Sequence, residues 1–162
     1  MVTLVALALP ASAATPPQPP ASARLPSDIA AVLAGRSTIA SVVVQDLRTG
    51  RVYSFNAGRR YDTASIVKVT IMAAALRQAA AAHRFLTATE LTLLRRMITV
   101  SDNNAASSLW SHVGGSTGIA AFLRLAGMDA TTPGSGGYWG LTQTTAGTRH
   151  TSSPNSPPPP RC

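Results

Sequence analysis

The chain has 162 residues, 45% hydrophobic and only 12% charged, which fits one globular domain with a core of its own. Fourteen basic residues stand against six acidic ones, for a net charge of +8. The plain reading is an arginine-rich surface that reflects composition, and the sharper one is attraction to an anionic surface such as a cell envelope; the arginines are scattered and no basic stripe carries interleaved aromatics, which argues against nucleic-acid binding.

The chain opens on an apolar run, 1–10, followed by the small-x-small sequence Ala11-Ser12-Ala13. This reads as a signal peptide, 1–13, and as a secreted or extracytoplasmic protein. The basic region that should precede the apolar run is absent, which leaves room for a start upstream of Met1. The run is too short to cross a bilayer, and no other segment is expected to cross one. The single cysteine, Cys162, excludes an internal disulfide. Residues 14–26 hold five prolines and are expected to be a linker.

Ser27 is placed to cap a short helix over 28–34, stopped at Gly35. A strand rich in β-branched residues follows over 38–47. Arg48-Thr49-Gly50 makes a turn, and 51–55 alternates as the second strand of a hairpin. Residues 65–82 are apolar on nearly every side, as expected of a helix buried at the centre of a domain. Thr87 and Glu90 spell a capping box, with Leu86 and Leu91 as the hydrophobic staple, and Leu91, Leu94 and Ile98 as the inward stripe. After a connection at 100–104, a helix over 105–113 turns Leu109, Trp110 and Val113 inward and ends at Gly114-Gly115. Ser116 caps a further helix carrying Ile119, Phe122 and Leu123, stopped at Gly127. A loop covers 131–140, and 141–146 has the look of a starting helix. Residues 147–162 are polar, then proline-rich, and are expected to be disordered.

Two short motifs carry chemistry. Lys68 is the only lysine in the chain and lies three residues after Ser65, so both side chains project from one face of a helix. Arginine stays charged at any working pH, whereas a buried lysine can lose its proton and serve as a base. A serine hydroxyl needs such a base before it can attack a carbonyl. Ser65 would sit at a helix start, where unpaired N–H groups suit an oxygen that becomes an anion. The second motif is Ser101-Asp102-Asn103, a tripeptide that also suits a plain helix N-terminus.

Taken together, Ser65-x-x-Lys68 and Ser101-Asp102-Asn103 resemble the penicillin-recognising serine hydrolases, specifically the class A β-lactamase-like branch. Asp46-Leu47-x-Thr49-Gly50, Ala64, Met97-Ile98, Gly114-Gly115 and Leu125-Ala126-Gly127-Met128 are similar to that branch as well. Tyr138-Trp139-Gly140-Leu141-Thr142 with Thr144-Thr145-Ala146 resembles its secreted actinobacterial-type members. The resemblance implies an α+β fold over 27–146, with a helical subdomain against an antiparallel sheet. It implies that Ser65 is acylated and that its N–H is half of an oxyanion hole. Lys68 would be the base or part of a proton relay, Ser101 the shuttle to the departing nitrogen, and Asn103 a contact to the substrate amide and to Lys68. Asp102 would stabilise the turn.

Two family elements are missing. No lysine follows Lys68, so there is no Lys-Thr-Gly strand, and Glu90, the one glutamate, is expected in a helix cap rather than in deacylation. The stretch from Lys68 to Ser101 is shorter than in typical class A enzymes. The sheet is therefore expected to be incomplete, with an open edge, and the reading frame to have shifted or stopped just after Ala146. Acylation with slow release is the expected behaviour, on a β-lactam or cell-wall peptide, by a monomer without cofactor or metal. A D-alanyl peptidase or esterase on the same scaffold remains open, as does a non-enzymatic remnant. His83, His112 and His150 lie in separate segments and match no metal-ligand spacing, and Gly134-Ser135-Gly136-Gly137 has no helix behind it to form a phosphate loop.

Overall fold

The computed structural model describes residues 21–147. The expected signal peptide, the linker up to residue 20 and the tail from 148 lie outside the described residues. The chain divides after Arg36 into two compact units.

In the first unit, helix α1 (Ala21–Leu33) occupies part of the stretch expected to be linker. Pro26 lies inside it. Proline removes one backbone donor and crowds the preceding turn, but it does not prevent alanine-rich flanks from continuing the helix. The expected stop holds: Gly35 adopts φ +75, and the Arg36 N–H closes on the Leu33 carbonyl at 3.0 Å.

The second unit begins with a hairpin of β1 (Val42–Gln45) and β2 (Val52–Phe55), antiparallel, with Val43 opposite Ser54. Both strands are shorter than the sequence implied. The turn between them is built by Asp46, whose carboxylate accepts from the N–H groups of Arg48 and Thr49 and from the Thr49 hydroxyl, while Gly50 supplies φ +71. Strand β3 (Arg60–Asp62) had no sequence signal of its own. It pairs antiparallel with β4 (Gln143–Thr145), where a helix start was expected. The threonines there favour extended backbone, and the partner strand far away in sequence decides the outcome.

Five segments form the helical layer. A 3₁₀ turn, Ala64–Ile66, leads into α2 (Val67–Ala81). Then come α3 (Ala88–Thr99), α4 (Asn103–His112) and α5 (Gly115–Leu125). Val67, Ile71, Met97, Leu109, Trp110, Val113, Ile119 and Leu123 are buried together in one core. The capping box of α3 is present as expected. The inward stripe of α3 is corrected: Leu94 and Met97 are buried, whereas Leu91 and Ile98 are each 42% exposed. Gly114 at φ +93, rather than Ser116, is the cap of α5. A Cβ on Gly118 would lie 1.8 Å from the Val113 carbonyl oxygen, so the α4–α5 corner requires glycine.

Contrary to expectation, the stretch Ala64–Ala81, with a mean hydropathy of 1.2, is long and apolar enough to cross a membrane. A soluble core helix has the same character, and α2 buries Val67, Lys68, Ile71, Ala74, Ala75 and Ala79. Its contacts with α3, α4 and α5 cover that face, while Ile66, Val69 and Leu76 stay exposed, so the helix is not buried on all sides as expected.

Candidate active site

The site forms where the start of α2 meets the α3–α4 connection. Ser65 lies in the 3₁₀ turn and is exposed; Lys68 is the second residue of α2 and only 2% exposed. Ala64 adopts φ +45 and Ser101 φ +54, so two of the four left-handed non-glycine residues among those described flank this cluster. Such strain is tolerated only where the surroundings over-determine the backbone.

Asp102 explains how the connection is held. Its carboxylate caps α4 by accepting from the Ala105 N–H at 2.9 Å and pairs with Arg96. The cap's N–H holds the carboxylate below its usual range, with Arg96 adding to it. With α4 started at Asn103, Ser101 is turned so that both its carbonyl and its hydroxyl face Lys68. The lysine Nζ donates to Ser101 O at 2.6 Å, Ser101 Oγ at 2.8 Å and Asn103 Oδ1 at 2.8 Å. Ser101 Oγ in turn reaches Ser65 Oγ at 3.3 Å. Ser65, Lys68, Ser101 and Asn103 are thus brought together, and Asp102 has the turn-stabilising place the sequence assigned to it. Ser65 connects to Lys68 through Ser101.

The hydrogen-bond arithmetic fits a relay. An ammonium has three donors, and three acceptors surround it. A neutral amine has two donors and one lone pair, so it keeps the carbonyl and the amide oxygen and accepts from the Ser101 hydroxyl. The same three neighbours satisfy both protonation states without movement.

Three further carboxylates, Glu90, Asp62 and Asp46, are engaged with other partners. Glu90 accepts from both Arg84 guanidinium nitrogens at 2.8 Å, from the Thr87 N–H at 2.7 Å, and contacts His112 Nε2 at 2.7 Å. Arg84, then the Thr87 N–H, hold this carboxyl far below its usual range. Asp62 accepts from Gln143, and Asp46 serves its own turn. Among the described residues no group of three or more His, Cys, Asp or Glu side chains is placed to hold a metal.

A sequence profile described as the β-lactamase enzyme family matches residues 24–93 and 86–156. The chain belongs to the β-lactamase family. Its fold agrees with that of solved class A members. An ancestral class A β-lactamase aligns with a TM-score of 0.66 at 22% identity, covering 76% of this chain and 60% of that one. The β-lactamase from Streptosporangium roseum aligns with a TM-score of 0.60 at 21% identity, covering 69% and 51%. A variant of the last common ancestor of Gram-negative bacteria β-lactamase class A, bound to the transition-state analogue 5(6)-nitrobenzotriazole, gives 0.65 at 23% identity, covering 79% and 61%. This β-lactamase-family chain therefore spans about 60% of the length of the first of these relatives. No curated protein sequence matches it.

One residue at the site had no role assigned from sequence. Trp139, in a 3₁₀ turn spanning Trp139–Leu141, places its ring centroid 5.1 Å from Lys68 Nζ. The run Tyr138-Trp139-Gly140 stood out only as a family likeness, because the 71 positions separating Trp139 from Lys68 (139 − 68) hide the contact.

Proposed function

We propose that this chain is a secreted serine hydrolase of the β-lactamase type, acylated at Ser65 by a β-lactam or a related amide. The single observation that carries this reading is the unbroken chain Ser65 Oγ, Ser101 Oγ, Lys68 Nζ, at 3.3 and 2.8 Å. Neutral Lys68 draws the proton of Ser101, and Ser101 takes that of Ser65. The freed Oγ attacks the carbonyl carbon, forming a C–O bond. As the tetrahedral centre collapses the C–N bond breaks, and the nitrogen receives the proton back from Lys68 through Ser101. The product is an ester on Ser65. The Ser65 N–H, in the first turn of the continuous helical stretch from Ala64, is the donor for the transient oxyanion. Export from the cell rests on the apolar opening and its small-residue site.

Release is expected to be slow. Hydrolysis of the ester needs a base for water, and Glu90, Asp102, Asp46 and Asp62 each have their carboxylates bound to other groups. This favours penicillin-binding behaviour over rapid turnover, and a D-alanyl peptidase acting on cell-wall peptide is the second reading on the same ground.

The test is intact-mass analysis of the protein incubated with a penicillin. One adduct per chain is expected, mapped to Ser65, absent in Ser65→Ala and persisting for minutes or longer. A cooperatively melting chain that gains no adduct with any β-lactam overturns the proposal.

A further inference from the structure

We propose that Trp139 is a positioning residue: its indole roofs the Lys68 ammonium, holding it in register with Ser101 and Asn103 and keeping bulk water off it. Three observations support this. Lys68 is 2% exposed, its three donors are taken by Ser101 and Asn103, and the Trp139 ring lies 5.1 Å from its Nζ. A cation over an indole face is attracted by the ring quadrupole, most strongly when both are shielded from water.

The ring is also fastened to the same helix that binds the lysine. Trp139 Nε1 donates to Ser107 Oγ at 3.1 Å, one turn beyond Asn103 in α4. Finally, the turn that carries Trp139 is pinned beside the nucleophile. The Thr63 N–H donates to the Thr142 carbonyl at 2.7 Å, and Thr142 Oγ1 accepts from the Gly134 N–H at 3.1 Å. A Cβ on Gly140 would come within 3.9 Å of Ala64 Cα, so the turn lies against the chain that leads into Ser65.

The consequence is directional. With Lys68 buried and the ring beside its Nζ, the hydroxyl through which it would exchange protons with Ser65 is that of Ser101. This catalytic consequence rests on the acylation reading; the roof itself does not.

Lys68 is the only lysine, so amine-reactive labelling reads its accessibility directly, with the terminal amine as internal control. The protein is treated with an N-hydroxysuccinimide acetate ester and mapped by peptide mass spectrometry. Lys68 is expected to resist labelling in the wild type, and Trp139→Ala to raise its rate about tenfold by opening the site to solvent. Trp139→Phe, which keeps a ring face, stays within about threefold of wild type. Acylation at Ser65 falls about tenfold in Trp139→Ala, through the acylation rate rather than affinity, and is restored by Trp139→Phe.

A Trp139→Ala protein that melts cooperatively yet labels no faster than wild type overturns the roof. If that variant does not fold, Ser107→Ala decides: faster labelling supports the proposal, unchanged labelling refutes it. Labelling that responds as expected in a wild type that is never acylated removes the enzymatic reading and leaves the roof. Acylation without any labelling response does the reverse.

Discussion

Ser101 is where the chemistry and the strain of this protein meet, and two substitutions separate them. Ser101→Ala and Ser101→Gly both delete the hydroxyl between Ser65 and Lys68. Each leaves Lys68 buried with two of its three acceptors, Ser101 O at 2.6 Å and Asn103 Oδ1 at 2.8 Å. Loss of one hydrogen bond to a charged group costs about 1.5–3 kcal/mol. The two differ in backbone: at φ +54 alanine retains the left-handed strain, whereas glycine removes about 1 kcal/mol of it. Ser101→Gly should therefore melt roughly 3–5 °C above Ser101→Ala, with both below wild type. Removing a positioned proton carrier slows its step by about 10²–10⁴-fold. On the proposed relay both variants should be acylated at least about a hundredfold more slowly, and by the same factor, because the hydroxyl and not the backbone would carry the proton. Circular dichroism melts give the stability, and stopped mass spectrometry with a penicillin gives the rate. Acylation of either variant within about threefold of wild type would refute the relay, and equal melting temperatures would refute the strain at Ser101.

Two further outcomes follow from contacts away from the nucleophile. Asp46 is held below the ordinary carboxylate range by the Thr49 hydroxyl and neighbouring N–H groups, Glu90 by Arg84 and Thr87, and Asp102 by the Ala105 N–H and Arg96. A carboxyl depressed in the folded state stabilises above its unfolded value, about pH 4, and that stability is lost as pH falls through the folded value. The melting temperature should be level from pH 7 to about 5 and fall below about 4, with a shallower fall in Glu90→Gln; a flat profile down to pH 3 would contradict the assignment. At the α4–α5 corner, Gly118→Ala forces a methyl to within 1.8 Å of the Val113 carbonyl oxygen and should cost about 3 kcal/mol or more. Gly127→Ala, at φ +65 with open space around it, should cost about 1 kcal/mol, so similar melting temperatures for the two would show that the corner relaxes.

Local chemistry made much of this protein readable from its residues. The Thr87–Glu90 capping box, the hairpin turn at Arg48-Thr49-Gly50 and the glycine stops at Gly35 and Gly127 depend on groups within a few positions of one another. Ser65-x-x-Lys68 and the tripeptide at 101–103 pointed to the cluster through their joint resemblance to the penicillin-recognising serine hydrolases, the helix supplying only the shared face of Ser65 and Lys68. What tertiary structure decided was pairing at a distance. Strand β4 replaced an expected helix because β3, 81 residues away at the Asp62–Gln143 register (143 − 62), offered it a ladder. On α3 the expected Leu94 is buried, but Met97 takes the place of Leu91 and Ile98 beside it, on a helix that packs against α4. The place of Ser101 between Ser65 and Lys68, and the indole over the ammonium, required α4 and the final turn to converge on α2, and no interval along the chain encodes that convergence.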